Sequence, residues 1–209
     1  TLERGPVPFG LRAPDPGFEP DVSGGFSIAG VPDGTYKVLA AFENDALVRD
    51  PDESIAGTDI AFIHSGSLRK DLPGGDIRVV DLLDTYPFVD DVIIKEMTGA
   101  QIRRALEQSF SLERGLLQVS GLEITYDLTR PIGQRLLSAQ RYGNDIDDTE
   151  TFTVAAPGFL AEGGDLYTMF AESEALGSAG KVSEVIAIYI RSQDVVPVPD
   201  RGRQTDLGL

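Results

Sequence analysis

The sequence predicts an α+β fold, a mixed sheet with packed helices preceded by a β-hairpin segment. Three observations support this prediction: strand-length runs that alternate apolar and polar residues, two amphipathic helical periods at 99–110 and 182–191, and a hairpin pattern near the N-terminus. The chain has 209 residues, of which 41% are apolar, which is enough to form at least one core. We therefore expect a main domain over 58–203, an N-terminal part over 1–57 and a tail over 204–209.

The N-terminal part begins with an extended segment that is rich in proline. Residues 26–28 and 36–40 then alternate in polarity on either side of a Pro32-Asp33-Gly34 turn, which predicts a β-hairpin. Two strands do not bury enough surface to be stable alone. We therefore expect this hairpin to pack on the following domain or on strands supplied from elsewhere.

Strand patterns dominate the main domain. Residues 58–64 and 91–97 are apolar runs of strand length, whereas 79–86 fits either a helical turn or a strand. Further alternating segments predict strands at 116–119, 122–128, 135–142 and 151–156. We expect the proline-punctuated residues 195–209 to be extended and to run over the surface.

A capping box marks the start of the first helix. Thr98 and Gln101 have the spacing at which each side chain bonds the backbone of the other residue. Apolar side chains then share one helical face: Ile102, Ala105, Leu106 and Phe110. A helix from about 99 to 110 is therefore predicted, and the amphipathic period at 182–191 predicts a second one.

Charge and composition exclude several kinds of partner. With 34 acidic and 18 basic residues the net charge is −16, which disfavours nucleic acid and anionic membranes. The sequence has no uninterrupted apolar window long enough for membrane insertion. The absence of cysteine excludes disulfides and thiolate metal sites but is compatible with both secretion and the cytosol. The first ten residues lack a signal-peptide pattern, so we expect any export signal to be removed or to lie outside this chain.

Catalytic and metal-binding patterns are weak. His64 is the only histidine, and no G-x-S-x-G motif accompanies it, so a hydrolytic triad is not predicted. A dinuclear metal centre usually requires several histidines. The acidic residues of 145–150 lack the glycine and spacing of an EF-hand and fit a solvated hairpin tip better. We predict no catalytic residue, no metal site and no cofactor in this chain.

Two loop patterns point instead to ligand binding. Residues 65–67 are small, and Arg69 ends the 65–69 segment, so backbone amides and a guanidinium can approach an anion there. The alternative is a structural turn with Arg69 paired to Asp71 or Asp76. Phe88 follows a proline, and Tyr167 follows a Gly163-Gly164 turn. Two loop aromatics can clamp a flat ring, and the alternative is that both belong to the core.

Four segments of the main domain carry a common resemblance: DIAFIHSGSLRKDLPGGDI, VVDLLDTYPFVDDVIIKEMTGAQIRRALEQSF, LLQVSGLEITYDLTRP and TFTVAAPGFLAEGGDLYTMF. Together they resemble the C-terminal domain of the 5′-nucleotidase family, which includes 2′,3′-cyclic-nucleotide phosphodiesterases and UDP-sugar hydrolases. The family patterns are N-S-G-G-I-R, P-F-G-N, L-T-G and G-G-D-G-Y or G-G-D-G-F, and similar stretches occur here in the same order, with the resemblance covering about 58–203.

The resemblance implies that this domain recognises a nucleoside or nucleotide. It assigns Phe88 and Tyr167 to a clamp on the base and Arg69 to ligand binding. The remaining implied ligand-binding residues are His64, Ser65 and Gly66 in the first loop and Gly163, Gly164 and Asp165 in the loop that presents Tyr167. In the family, hydrolysis belongs to a separate metallophosphoesterase domain with two metal ions. The resemblance thus implies a non-catalytic domain of an exported hydrolase that is secreted, periplasmic or at the cell surface.

Several positions depart from the family patterns. His64 replaces asparagine, Ser67 replaces the second glycine, and Leu166 replaces the glycine before the aromatic. Val89 and Asp90 stand where the family has Gly-Asn, and Asp90 adds negative charge beside a phosphate-receiving pocket. These changes favour an alternative function, a structural or surface-assembly module that keeps the fold with a decayed pocket.

The region upstream of 58 raises two further expectations. The family helix that opens with E-S-x-L-G-N-L has no room between 53 and 59, so either it is absent or the chain joins segments that are not adjacent in the natural polypeptide. Residues 24–52 resemble the closing strands of a carboxypeptidase-regulatory-like β-sandwich, through the pattern F-x-I-x-G-V-P-x-G-x-Y. The earlier strands are missing, so we expect a missing segment or a neighbouring chain to complete this sheet.

Overall fold

The computed structural model describes residues 56–111, 115–193, 195–196 and 202–208. The predicted N-terminal hairpin and the 24–52 segment lie outside the described residues. Residues 53–55 of the junction at 53–59 also lie outside the described residues, which start at Ala56.

The described chain contains nine strands and five helices, together with two 3-10 turns at Ser65–Ser67 and Gly164–Leu166. The strands are β1 (Ile60–His64), β2 (Asp91–Thr98), β3 (Leu117–Ser120), β4 (Glu123–Tyr126), β5 (Leu136–Arg141), β6 (Asn144–Asp145), β7 (Thr151–Pro157), β8 (Glu174–Lys181) and β9 (Gln204–Asp206). The helices are α1 (Val79–Thr85), α2 (Gly99–Ser109), α3 (Gly158–Ala161), α4 (Thr168–Ala171) and α5 (Val182–Ser192).

The strands form two sheets. The larger has the order β3-β1-β7-β2-β8, with β1 and β7 parallel and every other neighbouring pair antiparallel. The smaller has the order β6-β5-β4-β9, with β4 and β9 parallel. Mixed sheets with packed helices confirm the predicted α+β class.

Both faces of the larger sheet are buried at β1, which explains why this strand reads as a continuous apolar run. In β1, Ile60 and Phe62 point to a core shared with α2 and the smaller sheet, while Ala61 and Ile63 point to a second core shared with α1 and α5. Successive side chains of a strand point to opposite faces, so one short segment supplies both cores.

The capping box that predicts α2 is present. Thr98 Oγ1 accepts from the Gln101 amide at 3.3 Å, and the Gln101 side chain accepts from the Thr98 amide at 2.8 Å. The 147–150 loop packs against Gly99 so closely that a Cβ at this position would clash with the Asp147 carbonyl. The predicted helix is therefore confirmed, ending at Ser109 with Phe110 as its C-cap.

Two elements differ from or refine the sequence pattern. The ambiguous 79–86 segment is a helix, because Arg78 and Asp81 cap its first turn and Leu82 faces the α5 core. The sequence pattern does not predict β8, which is mostly exposed, contains glycines and alanines rather than alternating apolar residues, and pairs with β2 through two bulges. Residues 204–206 of the predicted tail are integrated into the smaller sheet as β9.

Candidate functional site

A cavity of about 400 Å³ opens at one end of the strands of the larger sheet. The parallel strands β1 and β7 both finish at this end, and the antiparallel strand β2 begins there. Three loops therefore converge on the cavity. They supply His64, Gly66, Ser67 and Arg69 after β1, Phe88 and Asp90 before β2, and Phe159 and Asp165 after β7.

The first loop is fixed by one hydrogen bond within itself and by another to the end of α1. His64 Nδ1 accepts from the Gly66 amide at 3.0 Å, and the Arg69 amide donates to the Thr85 carbonyl at 2.8 Å. The Arg69 guanidinium carbon then lies 5.3 Å from the centre of the Phe88 ring, which is cation–π distance. In the described chain Arg69 forms no ion pair, so the predicted alternative of pairing with Asp71 or Asp76 is not the arrangement found.

The second loop presents Phe88 and Asp90 against a buried tyrosine. The Tyr86 ring meets Phe88 edge-on, with centroids 5.4 Å apart, and the Tyr86 hydroxyl donates to Asp90 Oδ2 at 3.2 Å. Burial, followed by the charge of Asp90, raises the pKa of Tyr86, so its hydroxyl stays protonated at neutral pH. Phe88 remains 37% exposed and forms an apolar wall of the cavity.

The third loop presents Phe159 as a second apolar wall. Phe159 is 50% exposed, and its ring lies against Gly164, where a Cβ would come within 2.5 Å of two ring carbons. Asp165 and Leu166 both have left-handed backbone conformations, with φ of 51° and 69°. Glycine adopts this backbone conformation more easily than leucine does. The Leu166 side chain is 72% exposed.

Tyr167 does not line the cavity. Its ring is 1% exposed and packs edge-on against Phe170 and His64, with centroids 6.3 Å and 6.4 Å away. Burial also raises the pKa of its hydroxyl. The predicted Phe88–Tyr167 clamp is thus corrected, because the turn at 164–166 directs Tyr167 into the core. Phe159 is the residue that sequence reasoning missed, although its place directly after the Pro157-Gly158 end of a strand was a usable signal.

The first and third loops contact each other through two residues that line the cavity, His64 and Asp165. His64 Nε2 lies 3.4 Å from Asp165 Oδ2, and Gln108 Nε2 on α2 donates to the Asp165 carbonyl at 3.2 Å. Of the other predicted residues, Gly66 lines the cavity, whereas Ser65 and Gly163 shape the turns beside it. Gly163 has a φ of 88° and leads into the 164–166 turn.

The family pattern extends over most of this architecture. The sequence model described as 5′-nucleotidase, C-terminal domain, matches residues 31–172. The chain belongs to this family. The predicted resemblance is confirmed, while the carboxypeptidase-like segment at 24–52, which the match enters at residue 31, stays a prediction.

Similar proteins carry this domain as a minor part of their length. A 5′-nucleotidase-related protein of Glossina morsitans morsitans is 35% identical over 123 residues, covering 53% of this chain and 22% of the relative. A trifunctional nucleotide phosphoesterase protein of Bacillus subtilis (strain 168) is 33% identical over 144 residues, covering 65% of this chain and 10% of the relative.

A solved structure shows the same fold. The 5′-nucleotidase precursor from Thermus thermophilus aligns with a TM-score of 0.68 and 30% identity, covering 74% of this chain and 32% of that one. The matched domain thus spans a third or less of each of these three proteins.

Two further features of the described residues bear on function. They contain no group of three or more histidine, cysteine, aspartate or glutamate side chains that would hold a metal ion. Among their helices, none has the length and apolar character needed to cross a membrane.

Proposed function

We propose that this chain is the nucleoside- or nucleotide-recognition domain of a 5′-nucleotidase-like exported hydrolase. The observation that carries the proposal is the pair of half-exposed rings, Phe88 and Phe159, on two different loops of one cavity. A flat aromatic base between two such rings gains stacking as well as apolar burial. Arg69 beside Phe88 supplies a hydrogen-bonding cation at the same place.

The charges of the cavity favour the nucleoside part of a ligand over its phosphates. Asp90 and Asp165 line the cavity together with a single guanidinium, that of Arg69. Phosphate groups near the two carboxylates are repelled, whereas base and ribose groups can donate hydrogen bonds to them. We infer that the base and sugar provide most of the affinity and that a phosphate contributes little.

Hydrolysis is proposed to require a separate metallophosphoesterase domain that carries two divalent metal ions. For this chain we propose ligand recognition alone. The nucleotidases and phosphoesterase that it resembles are about three to ten times longer than the domain that matches it. Purified chain is expected to release no phosphate from AMP in the presence of Mg²⁺, Mn²⁺ or Zn²⁺.

Isothermal titration calorimetry with adenosine, guanosine and their 5′-monophosphates tests the proposed recognition. Phe88→Ala and Phe159→Ala are each expected to weaken binding about tenfold, the magnitude typical of a lost base–aromatic stack. Tyr142→Ala is the matched control, because Tyr142 is an exposed aromatic outside the cavity lining. Absence of binding to wild-type protein that is folded by circular dichroism would contradict the proposal.

The second candidate is a structural or surface-assembly module with a decayed pocket. The observation that favours it is the close approach of buried His64 to Asp165, which ties two ligand loops to one another. This candidate predicts no nucleoside binding together with concentration-dependent self-association in light scattering. The calorimetric titration therefore separates the two functions.

A further inference from the structure

His64 caps the first loop of the cavity through one defined ring nitrogen. It is the N-cap of the 3-10 turn at Ser65–Ser67, and its Nδ1 accepts from the Gly66 amide at 3.0 Å. A backbone N–H donates only to a ring nitrogen that carries a lone pair, so Nδ1 is unprotonated and the proton of the neutral ring lies on Nε2. The hydrogen bond therefore selects one of the two neutral tautomers of His64.

The other nitrogen of the ring faces the third loop. His64 Nε2 lies 3.4 Å from Asp165 Oδ2, and the His64 residue is only 7% exposed. The Nε2–H of the neutral ring is therefore directed into a region of negative potential. His64, Gly66 and Asp165 all line the cavity. One neutral side chain thus contacts the first loop through its acceptor nitrogen and the third loop through its donor nitrogen.

A second proton on the ring would change both contacts. The imidazolium ring is a donor at each nitrogen, so an Nδ1–H would point at the Gly66 N–H, and the amide would lose its acceptor. At Nε2, the positive charge would pair with the Asp165 carboxylate and cancel its charge within the cavity. Each change alters a group that a ligand in the cavity would meet.

The surroundings of the ring act on this proton in opposite directions. Asp165 favours the charged ring, whereas burial and the hydrogen bond that Nδ1 accepts favour the neutral one. Among the described residues, Arg69 and Asp90 line the same cavity, and the Tyr167 ring lies edge-on to His64. Burial raises the pKa of the Tyr167 hydroxyl, so that group stays neutral. The chain has no other histidine and no cysteine, so His64 is the side chain whose titration belongs near neutral pH.

We propose that His64 is a positioning residue of the nucleoside site and that the site binds its ligand only while His64 is the neutral Nε2–H tautomer. This inference rests on the proposed nucleoside recognition and adds its regulation by pH. Binding is complete above the titration midpoint of His64 and is lost as the pH falls through it. One pH unit below the midpoint about a tenth of the molecules hold a neutral ring, so the apparent affinity is about tenfold lower.

The test combines nuclear magnetic resonance with calorimetry on the full 209-residue chain. Because His64 is the only histidine, its imidazole nitrogen signals identify the tautomer and the titration midpoint without further assignment. Ligand-free protein at pH 7.5 is expected to carry the ring proton on Nε2. The affinities for adenosine and guanosine, measured from about pH 5 to 8, are expected to fall with the midpoint that the ring itself shows.

His64→Asn is the matched variant, because asparagine Oδ1 accepts from the amide two residues on, as in an Asx turn, and does not titrate. Its affinity for nucleosides is expected to be the same at pH 5.5 and pH 7.5. His64→Ala removes the acceptor and is expected to bind more weakly than His64→Asn at both pH values. Equal affinity of the two variants, both folded by circular dichroism, would rule out the positioning role.

The remaining outcomes separate this inference from the proposed function. Nucleoside affinity that is the same on both sides of the His64 midpoint would overturn the inference and leave nucleoside recognition in place. The same follows from an Nδ1–H tautomer, from a ring that does not titrate between about pH 5 and 8, or from a pH dependence that His64→Asn retains. Absence of nucleoside binding to folded wild-type protein at every pH overturns the proposed function and the inference together.

Discussion

Charged groups are hydrogen-bonded to different extents in two regions, the cavity and the contact between α2 and the smaller sheet. At the α2 contact, the Glu107 carboxylate accepts from the amides of Gly133, Arg135 and Leu136 at 2.8, 3.0 and 2.6 Å. At the cavity, within the described residues, Arg69 forms no ion pair, and the Asp90 carboxylate accepts a hydrogen bond from the Tyr86 hydroxyl alone. Charged groups that are fully satisfied within the chain are structural, and those that are not are available to a ligand.

The strongest prediction concerns the structural side of this comparison. Glu107→Ala leaves three backbone amides without their acceptor, and we expect it to lower the free energy of unfolding by about 3 kcal/mol. Urea denaturation measures this loss, and nucleoside affinity should stay within about twofold. Glu123→Ala, an exposed glutamate on β4, is the matched control and should change stability little. A large loss of affinity in folded Glu107→Ala protein would break the distinction between the two regions.

A second prediction links backbone geometry to the cavity wall. Gly164→Ala places a Cβ within 2.5 Å of the Phe159 ring and 2.6 Å of the Phe159 carbonyl oxygen. We expect a loss of about 1–3 kcal/mol in stability, as for other overpacked sites, and weaker nucleoside binding because the ring moves. Gly177→Ala is the control, since a Cβ there meets no atom within 4 Å. Unchanged affinity in Gly164→Ala protein would show that Phe159 is not a wall of the ligand site.

A third prediction concerns the left-handed backbone of the third loop, where a substitution should raise the free energy of unfolding slightly rather than lower it. Leu166 has a φ of 69°, so Leu166→Gly relieves strain of roughly 1–2 kcal/mol but increases the entropy of the unfolded chain. We expect a net stabilisation below about 1 kcal/mol. Leu176→Gly, which replaces an exposed leucine on extended β8, should instead destabilise the protein. Destabilisation of similar size in both variants would argue against strain at Leu166.

The smallest predicted effect is a pH dependence at the start of α1. The Arg78 guanidinium lowers the pKa of Asp81 below its ordinary value of 3.8, so the ion pair contributes stability at neutral pH. This contribution is lost as the pH falls below 3.8 and through the lowered pKa. Acid titration of unfolding should therefore be shallower for Asp81→Asn than for wild-type protein. Nucleoside binding at pH 7 should be the same for both.

Local patterns were sufficient to predict most of the fold. The Thr98–Gln101 capping box defines the start of α2, and the two-sided burial of β1 appears in the sequence as a continuous apolar run. The 79–86 segment stayed ambiguous because its paired leucines suit a helix and a strand equally. The sequence pattern does not predict β8, because an exposed edge strand with bulges does not need alternating apolar side chains.

The candidate site was predicted in part. The loop at 64–69 and Phe88 follow from small residues and a loop aromatic, and the structure brings them to one cavity. The aromatic after the double glycine suggested Tyr167 as the second wall. Its burial depends on the left-handed conformation of Asp165 and Leu166, and leucine gives no indication of such a conformation. Phe159, directly after the Pro157-Gly158 end of β7, takes the place of the second wall that the sequence pattern assigns to Tyr167.

The central claim is that a base binds between Phe88 and Phe159. A crystal structure of the chain with guanosine tests it most directly. We expect the base to lie between the two rings, inside the cavity that Arg69 and Asp165 also line. Guanosine bound elsewhere, or a cavity that stays empty at saturating guanosine, would contradict the claim.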